Sequence, residues 1–132
     1  TLDAEKNRSM NILVVDDEKD QLKALCLSLR SCGFGTQAAD SGIQALTMLD
    51  RTDHGIDLVI TDYAMPEMNG IHLLRKIKRN HPAMPVILIS AMGSARLAED
   101  LYKNGGQVFM YKPFLVEELV GKINKITENQ MK

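Results

Sequence analysis

Short apolar runs alternate five times with amphipathic stretches along this chain, and no other sequence feature restricts the fold as strongly. Most of the runs are rich in β-branched residues, as expected of strands that are buried on both faces. Strand–helix alternation of this kind predicts a parallel sheet with right-handed crossovers and a helix layer on each face. The sequence therefore predicts an α/β fold with five strands and five helices. The predicted strands cover residues 12–15, 34–39, 58–60, 86–89 and 108–111.

The intervening stretches carry apolar residues at helical spacing, and several helix ends are marked by residues that cap helices or fix the backbone. We expect Pro66 to begin the third helix, with Asn69 and Gly70 marking a bend or an early turn. The fourth helix is predicted over residues 94–104. The cap positions are Gly33, Ser41 and Gly105.

The two ends of the chain lack this periodicity. Residues 1–10 are polar and aperiodic, which predicts a flexible leader, and residues 128–132 are predicted to form a polar tail. A length of 132 residues suits one domain, and we expect it to occupy residues 11–127.

Composition excludes two classes of partner. A net charge of -1 and a pI near 6.3 give no basic field for nucleic acid phosphates, so direct nucleic acid binding is not expected. No apolar run approaches the roughly 20 residues that a membrane-spanning helix needs. Cys26 and Cys32 lie six residues apart in a predicted helix, on different faces, so they are interpreted as packing residues rather than as a pair.

Three carboxylates, one hydroxyl and one ammonium group follow four of the predicted strands directly. The carboxyl ends of parallel strands share one edge of the sheet, neighbouring strands are about 4.8 Å apart, and ligands bind outside this edge. Each residue alone is common at a strand end or on a surface, but their joint placement predicts a functional site. The residues are Asp16, Asp17, Asp62, Ser90 and Lys112.

The chemistry of this set points to phosphoryl transfer. Three carboxylates at close range repel one another unless positive charge lies among them. Lys112 supplies one charge, and a hard divalent cation with oxygen ligands would supply the rest, with Mg²⁺ favoured. Such a cluster can hold a phosphoryl group during transfer. A carboxylate is already ionised at neutral pH, so it can attack phosphorus without a general base.

Four motifs, in order, resemble the receiver domain of response regulators in bacterial two-component signalling, of the chemotaxis-regulator type. The similarity extends from about Asn11 to Thr127 and implies a flavodoxin-like, doubly wound sheet with strand order 2-1-3-4-5. The motifs are residues 12–18 (ILVVDDE), 57–70 (DLVITDYAMPEMNG), 86–91 (VILISA) and 111–114 (YKPF).

The resemblance assigns roles to the acidic residues. Asp62 would be the phosphoacceptor and would receive its phosphoryl group from a histidine kinase or, in a phosphorelay, from a histidine phosphotransfer protein. Asp17 and Asp62 would bind Mg²⁺ together with the backbone carbonyl of Ala64, while Asp16 would act through water.

The resemblance also implies a switch. Ser90 and Lys112 would each contact a phosphoryl oxygen, and the Lys112–Pro113 bond is often cis in such domains. Phe109 matches the aromatic residue that moves inward on activation, and it would relay the change to the surface of the fourth helix, fifth strand and fifth helix. That surface would meet an output domain, a downstream protein or a second copy of the chain.

Some positions depart from the usual pattern or vary among such domains. Ala64 and Met92 lie two residues past Asp62 and Ser90, where such domains tune hydrolysis of the acyl phosphate. Neither side chain can hydrogen-bond a water molecule, which predicts slow self-dephosphorylation. Gly106 replaces a more usual Ala and predicts a looser end to the fourth helix.

Two groups of side chains outside the motifs are interpreted without a role in the site. The three histidines are dispersed without metal-ligand spacing, which favours surface roles. Leu27, off the apolar stripe of its helix, is expected to be exposed and could belong to a patch where a kinase docks. The histidines are His54, His72 and His81.

The favoured interpretation is a cytoplasmic switch that assists its own phosphorylation and is not a turnover enzyme. One alternative is a phosphatase or phosphotransferase with Asp62 as covalent nucleophile, although Ala64 does not supply the second carboxylate that such enzymes use. The other alternative is a receiver-like module that folds but is not phosphorylated.

Overall fold

The five predicted strands form one parallel sheet in the computed structural model, which describes residues 10–130. The strand order is β2-β1-β3-β4-β5, so the chain winds outward in both directions from β1 as predicted. The predicted leader, apart from Met10, and residues 131–132 lie outside the described residues. The strands are β1 (Asn11–Val15), β2 (Gly35–Ala39), β3 (Leu58–Asp62), β4 (Val86–Ser90) and β5 (Val108–Tyr111).

Five helices connect and follow these strands, as predicted. The last helix continues to Gln130 and so includes residues 128–130, which were predicted to begin the polar tail. Among the described residues, no helix combines the length and apolarity needed to cross a membrane. The helices are α1 (Lys19–Ser31), α2 (Gly42–Leu49), α3 (Gly70–Asn80), α4 (Ala95–Lys103) and α5 (Val116–Gln130).

The predicted start of α3 at Pro66 is wrong. The backbone N–H of Met68 donates to the carbonyl of Pro66 at 2.7 Å, and Glu67 between them has φ 68°, so a tight γ-turn interrupts the chain there. The helix begins at Gly70 instead. Asn69 caps the helix: its side-chain Oδ1 accepts hydrogen bonds from the backbone N–H groups of Ile71 and His72, both at 2.9 Å.

Alternation of side chains along the strands divides the core into two layers. Leu13, Val59 and Leu88 face the layer formed by α2, α3 and α4, whereas Ile12, Val14 and Ile60 face α1 and α5. The apolar stripe of α1 packs into the second layer through Leu22, Cys26 and Leu29. Cys26 is therefore a packing residue as predicted, and Leu27 is exposed as predicted.

The end of α4 is closed by backbone hydrogen bonds. Gly105 has φ 88°, and the N–H groups of Gly105 and Gly106 donate to the carbonyls of Tyr102 and Leu101 at 3.1 and 2.9 Å. This is a Schellman turn, which satisfies two carbonyls that the helix leaves free. The Leu101 side chain lies directly against Gly106, where a β-carbon would overlap it. The helix end is thus closed by these contacts in the structure, and the effect of Gly106 on its rigidity stays a prediction.

Candidate functional site

The carboxyl edge of the sheet brings the predicted acidic residues together. Asp16 and Asp17 follow β1, and Asp62 ends β3, the neighbouring strand. One carboxylate oxygen from each of the three residues lies within 4.8 Å of the others. Asp16 is buried and Asp17 is the most exposed. We call these three residues the acid cluster.

Lys112 brings a positive charge to the acid cluster from the end of β5. Its Nζ lies 3.1 Å from Oδ1 of Asp62 and 3.9 Å from Oδ2 of Asp16. The backbone N–H of Lys112 donates to the carbonyl of Ser90 at 2.9 Å, which ties this residue to β4. The bond from Lys112 to Pro113 is cis, as the resemblance implied.

The surroundings of Asp16 disfavour the ionised form of its carboxyl group. Burial raises the pKa of the Asp16 carboxyl, and the nearby charge of Asp62 raises this pKa further. The backbone N–H of Glu18, which donates to Asp16 at 2.9 Å, and the ammonium of Lys112 oppose that rise without cancelling it. A set of carboxylate oxygens is the donor set that hard divalent cations prefer, so the cluster could bind such a metal.

The structure brings Ser90 to the carboxyl edge of the sheet, where its hydroxyl bonds to the backbone of Met92. The Ser90 side chain is buried; its Oγ donates to the carbonyl of Met92 at 2.6 Å and accepts from the Met92 N–H at 3.0 Å. Short hydroxyl side chains often bond to the backbone of a following loop in this way. To donate to a group on Asp62, the Ser90 hydroxyl would have to give up its hydrogen bond to the Met92 carbonyl.

Phe109 is half-buried at the edge of the core layer formed by α2, α3 and α4. Its ring meets the ring of Tyr111 edge to face, with centroids 4.7 Å apart and planes at 62°. Tyr111 in turn covers Gly93, where an added β-carbon would overlap the ring. Sequence reasoning did not single out Tyr111. The available signal was its spacing of two from Phe109, which places both rings on one face of β5.

Two predicted positions flank the acid cluster on exposed loops. Ala64 lies in the loop after β3, and Met92 lies in the loop after β4 with 68% of its surface exposed. Their effect on hydrolysis and the metal contact of the Ala64 carbonyl stay predictions.

Gln21 was missed by sequence reasoning although it contacts the site. Its Oε1 accepts a hydrogen bond from Nζ of Lys112 at 3.0 Å. The position of Gln21 in the first turn of α1, which begins two residues after Asp17, was the available signal.

Sequence reasoning also treated two histidines as dispersed when they are neighbours. The rings of His54 and His81 meet edge to face with centroids 5.9 Å apart, ahead of β3 and β4 and therefore at the opposite edge of the sheet. His72 is exposed on α3, so the expectation holds for this residue alone.

A cavity of about 440 Å³ opens beside the acid cluster. Its polar end is formed by Asp16, Asp62 and Lys112, and its apolar wall includes Leu25 of α1 and Phe114 of the β5–α5 connection. The site is therefore bordered by an apolar groove along α1.

Comparisons with known proteins agree with this geometry. The family model described as response regulator receiver domain matches residues 12–124. The chain is 36% identical over 130 residues to chemotaxis protein CheY-3 of Vibrio cholerae serotype O1, covering 96% of this chain and 98% of that protein.

Solved structures from the same family also resemble this chain. A response regulator receiver domain protein from Clostridium thermocellum superposes with a TM-score of 0.87 at 31% identity, covering 92% of this chain and 97% of that one. CheY in the CheX-CheY-BeF3-Mg+2 complex from Borrelia burgdorferi superposes with a TM-score of 0.84 at 30% identity, and 89% of each chain is covered.

Proposed function

The chain belongs to the response regulator receiver domain family, and from this membership we propose that it is a phosphoacceptor switch modified on Asp62. The phosphoryl donor would be a histidine kinase or a histidine phosphotransfer protein in the cytoplasm. The observation that carries the proposal is the position of the Asp62 carboxylate, which lies within the acid cluster and 3.1 Å from the Lys112 ammonium.

The transfer would use the Asp62 carboxylate as nucleophile and the Lys112 side chain beside it. The ionised carboxylate of Asp62 forms a bond to phosphorus while the phosphorus–nitrogen bond of the donor phosphohistidine breaks, and the electron pair returns to the donor imidazole. The Lys112 ammonium stabilises the charge on a phosphoryl oxygen. The proposed product is an acyl phosphate on Asp62.

Mg²⁺ is the metal that we assign to the acid cluster. Asp17, Asp62 and the carbonyl of Ala64 would hold it directly and Asp16 through water, and when bound it supplies positive charge to the phosphoryl oxygens. Support comes from the three carboxylates within 4.8 Å of one another and from the raised pKa of Asp16. The CheY structure from Borrelia burgdorferi is a complex that contains BeF3 and Mg+2.

Activation would begin with rotation of Ser90. To bond the phosphoryl group, the hydroxyl must leave the backbone of Met92, to which it is joined at 2.6 and 3.0 Å. Phe109 would then move inward, and Tyr111 would follow because the two rings are in contact. The readout would be the surface of α4, β5 and α5, where a downstream protein, an output domain or a second copy would bind.

The alternative enzymatic function is less well supported. A phosphatase or phosphotransferase with Asp62 as nucleophile needs an acid–base group nearby, and residue 64 is Ala. We therefore propose a switch rather than a turnover enzyme. The second alternative, a receiver-like module without phosphorylation, is separated from our proposal by experiment.

The test is intact-mass measurement after incubation with acetyl phosphate and Mg²⁺. We expect the wild type to gain one phosphoryl group and Asp62→Asn to gain none. Asp53→Asn is the matched control, because Asp53 is exposed and lies near Arg51, beyond the acid cluster. A folded wild type without a mass gain would favour the module that is not phosphorylated, and equal gain in Asp62→Asn would exclude Asp62 as the acceptor.

A further inference from the structure

Three oxygen atoms surround the ammonium of Lys112, and one of them has no part in the family motifs. The Nζ atom lies 3.1 Å from Asp62, 3.9 Å from Asp16 and 3.0 Å from Oε1 of Gln21. Gln21 Oε1 accepts a hydrogen bond from this ammonium, the Asp62 carboxylate forms a close ion pair with it, and Asp16 lies beyond hydrogen-bond distance. Gln21 is the neutral member of the three and comes from α1 rather than from a strand end.

The fold holds Gln21 at this position independently of the acid cluster. Leu22, on the next position of α1, and Cys26 and Leu29 beyond it are buried against the sheet, which fixes the first turn of the helix. Gln21 also lines the cavity that Asp62 and Lys112 border. Its side chain therefore reaches the site from a well-packed element.

A neutral acceptor suits this place. The carboxylates of Asp62 and Asp16 already lie 3.1 and 3.9 Å from the ammonium, so a neutral oxygen adds an acceptor without adding negative charge to the acid cluster. A lysine side chain is long and flexible and has many rotamers in which its ammonium points to solvent. The Gln21 amide oxygen restricts these rotamers without adding charge.

We propose that Gln21 is a positioning residue for the phosphoryl transfer proposed above, acting by holding the Lys112 ammonium beside Asp62. This inference rests on the proposed function. The ammonium exchanges a carboxylate oxygen for a phosphoryl oxygen when Asp62 is modified, and the bond to Gln21 persists through that exchange. Lys112 is therefore already oriented when the phosphoryl group arrives.

The first test compares rates of phosphorylation by acetyl phosphate at saturating Mg²⁺ in the whole chain. Gln21→Leu, which keeps the size and removes the acceptor, should slow phosphorylation by about threefold to tenfold, since one charge-assisted hydrogen bond is lost. Lys23→Leu is the matched control, an exposed position on the same helix, and should react at the wild-type rate. In a Lys112→Ala background, Gln21→Leu should have no further effect, because Gln21 acts through Lys112.

The second test does not depend on phosphorylation. Relaxation of the ¹⁵N-labelled Lys112 ammonium, measured on the unmodified protein, should show larger motion in Gln21→Leu than in the wild type. Gln21→Glu keeps an acceptor oxygen at the same reach and should keep the ammonium ordered. Circular dichroism melts check that every variant is folded.

The outcomes separate the two proposals. A wild type that takes up no phosphoryl group overturns the proposed function, and with it the role of Gln21 in transfer, while the relaxation data still report on the contact. A competent wild type whose Gln21→Leu variant reacts at the same rate overturns the Gln21 proposal alone. Slowing of Gln21→Leu by the same factor in the Lys112→Ala background also overturns it, since the effect would not pass through Lys112.

Discussion

Asp16 belongs to the acid cluster, yet its ionised carboxylate is expected to lower the free energy of unfolding of the domain. Burial and the charge of Asp62 raise its pKa above the ordinary value, so the folded chain binds more protons than the unfolded chain between the two pKa values. The free energy of unfolding of the metal-free domain should therefore fall as pH rises through that window. Above that window the folded chain bears the full free-energy penalty of the ionised Asp16 carboxylate.

Asp16→Asn should remove this penalty. We expect the variant to be more stable than the wild type at pH 7 by about 0.5–2 kcal/mol without metal. Its stability should also lose the part of the pH dependence that Asp16 contributes. Urea unfolding at several pH values, with Asp53→Asn as the control, measures both effects. An unchanged urea midpoint in Asp16→Asn would contradict the assignment of this penalty to the ionised carboxyl.

Ala64 is the residue expected to limit hydrolysis of the acyl phosphate. Its methyl group cannot orient a water molecule, whereas an amide two residues from the phosphorylated side chain can. Ala64→Asn should shorten the lifetime of the phosphorylated protein by roughly tenfold, because a side chain that positions the attacking water accelerates hydrolysis of the phosphoryl group. Loss of the phosphoryl mass over time after removal of the donor measures the lifetime, and a lifetime equal to that of the wild type would count against the prediction.

The positions of Asp16, Asp17, Asp62 and Lys112 could be predicted because parallel topology alone brings strand ends together. The direction of the Ser90 hydroxyl could not be predicted, because it depends on a local choice between the Met92 backbone and the site. The contact between residues 21 and 112 could not be predicted either. It spans 91 positions in the sequence and depends on how α1 packs against the sheet.

At the scale of elements, the junction between β3 and α3 is the segment under the tightest constraint. The backbone N–H of Gly70 donates to the carbonyl of Tyr63 at 2.9 Å. A β-carbon at Gly70 would lie 2.6 Å from the carbonyl oxygen of Asp62, the proposed phosphoacceptor, and 3.0 Å from Cα of Tyr63. The glycine therefore allows α3 to begin directly against the end of β3.

Gly70→Ala should destabilise the fold by about 1–3 kcal/mol, the usual cost of inserting a carbon into a packed place. It should also lower the extent of phosphorylation, because relief of the overlap moves the backbone of Asp62. Gly121→Ala is the matched control, since a β-carbon there meets no described atom within 4 Å and the helix interior favours Ala by about 0.5–1 kcal/mol. Equal urea midpoints for the two variants would contradict the close approach of Gly70 to the backbone of Asp62 and Tyr63.

Element boundaries show where sequence reasoning was sufficient and where it was not. The β1, β3 and β4 runs were identified correctly because both of their faces are buried, which gives a continuous apolar signal. The start of α3 was misplaced because Pro66 is a common first helical residue, whereas here it opens the γ-turn centred on Glu67. A positive φ at a glutamate leaves no signal in the residue type.

At the scale of the whole molecule, the doubly wound topology places the acid cluster and the hydrophobic core in different parts of the domain. The acid cluster and its lysine lie at the carboxyl edge of the sheet, and the two core layers that hold the strands lie beneath it. At this edge, burial and the neighbouring charge of Asp62 raise the pKa of the Asp16 carboxyl. Any cation that binds the folded cluster more tightly than the unfolded chain shifts the folding equilibrium of the entire domain.

Mg²⁺ should accordingly raise the stability of the whole chain. The gain follows RT ln(1 + [Mg²⁺]/Kd) and reaches about 2.7 kcal/mol at a concentration one hundred times Kd. The melting temperature should rise continuously with the logarithm of metal concentration. Asp17→Asn should lose most of this rise, because the substitution removes one of the three carboxylates of the acid cluster.

The control for this prediction is NaCl at matched ionic strength, which screens repulsion within the acid cluster without occupying it. We expect NaCl to give a small rise that is similar in the wild type and in Asp17→Asn. If Mg²⁺ raised the melting temperature of both proteins equally, the effect would be general screening and the acid cluster would not be a metal site. A rise confined to the wild type instead ties the stability of the sheet to the same three carboxylates that surround the proposed phosphoacceptor.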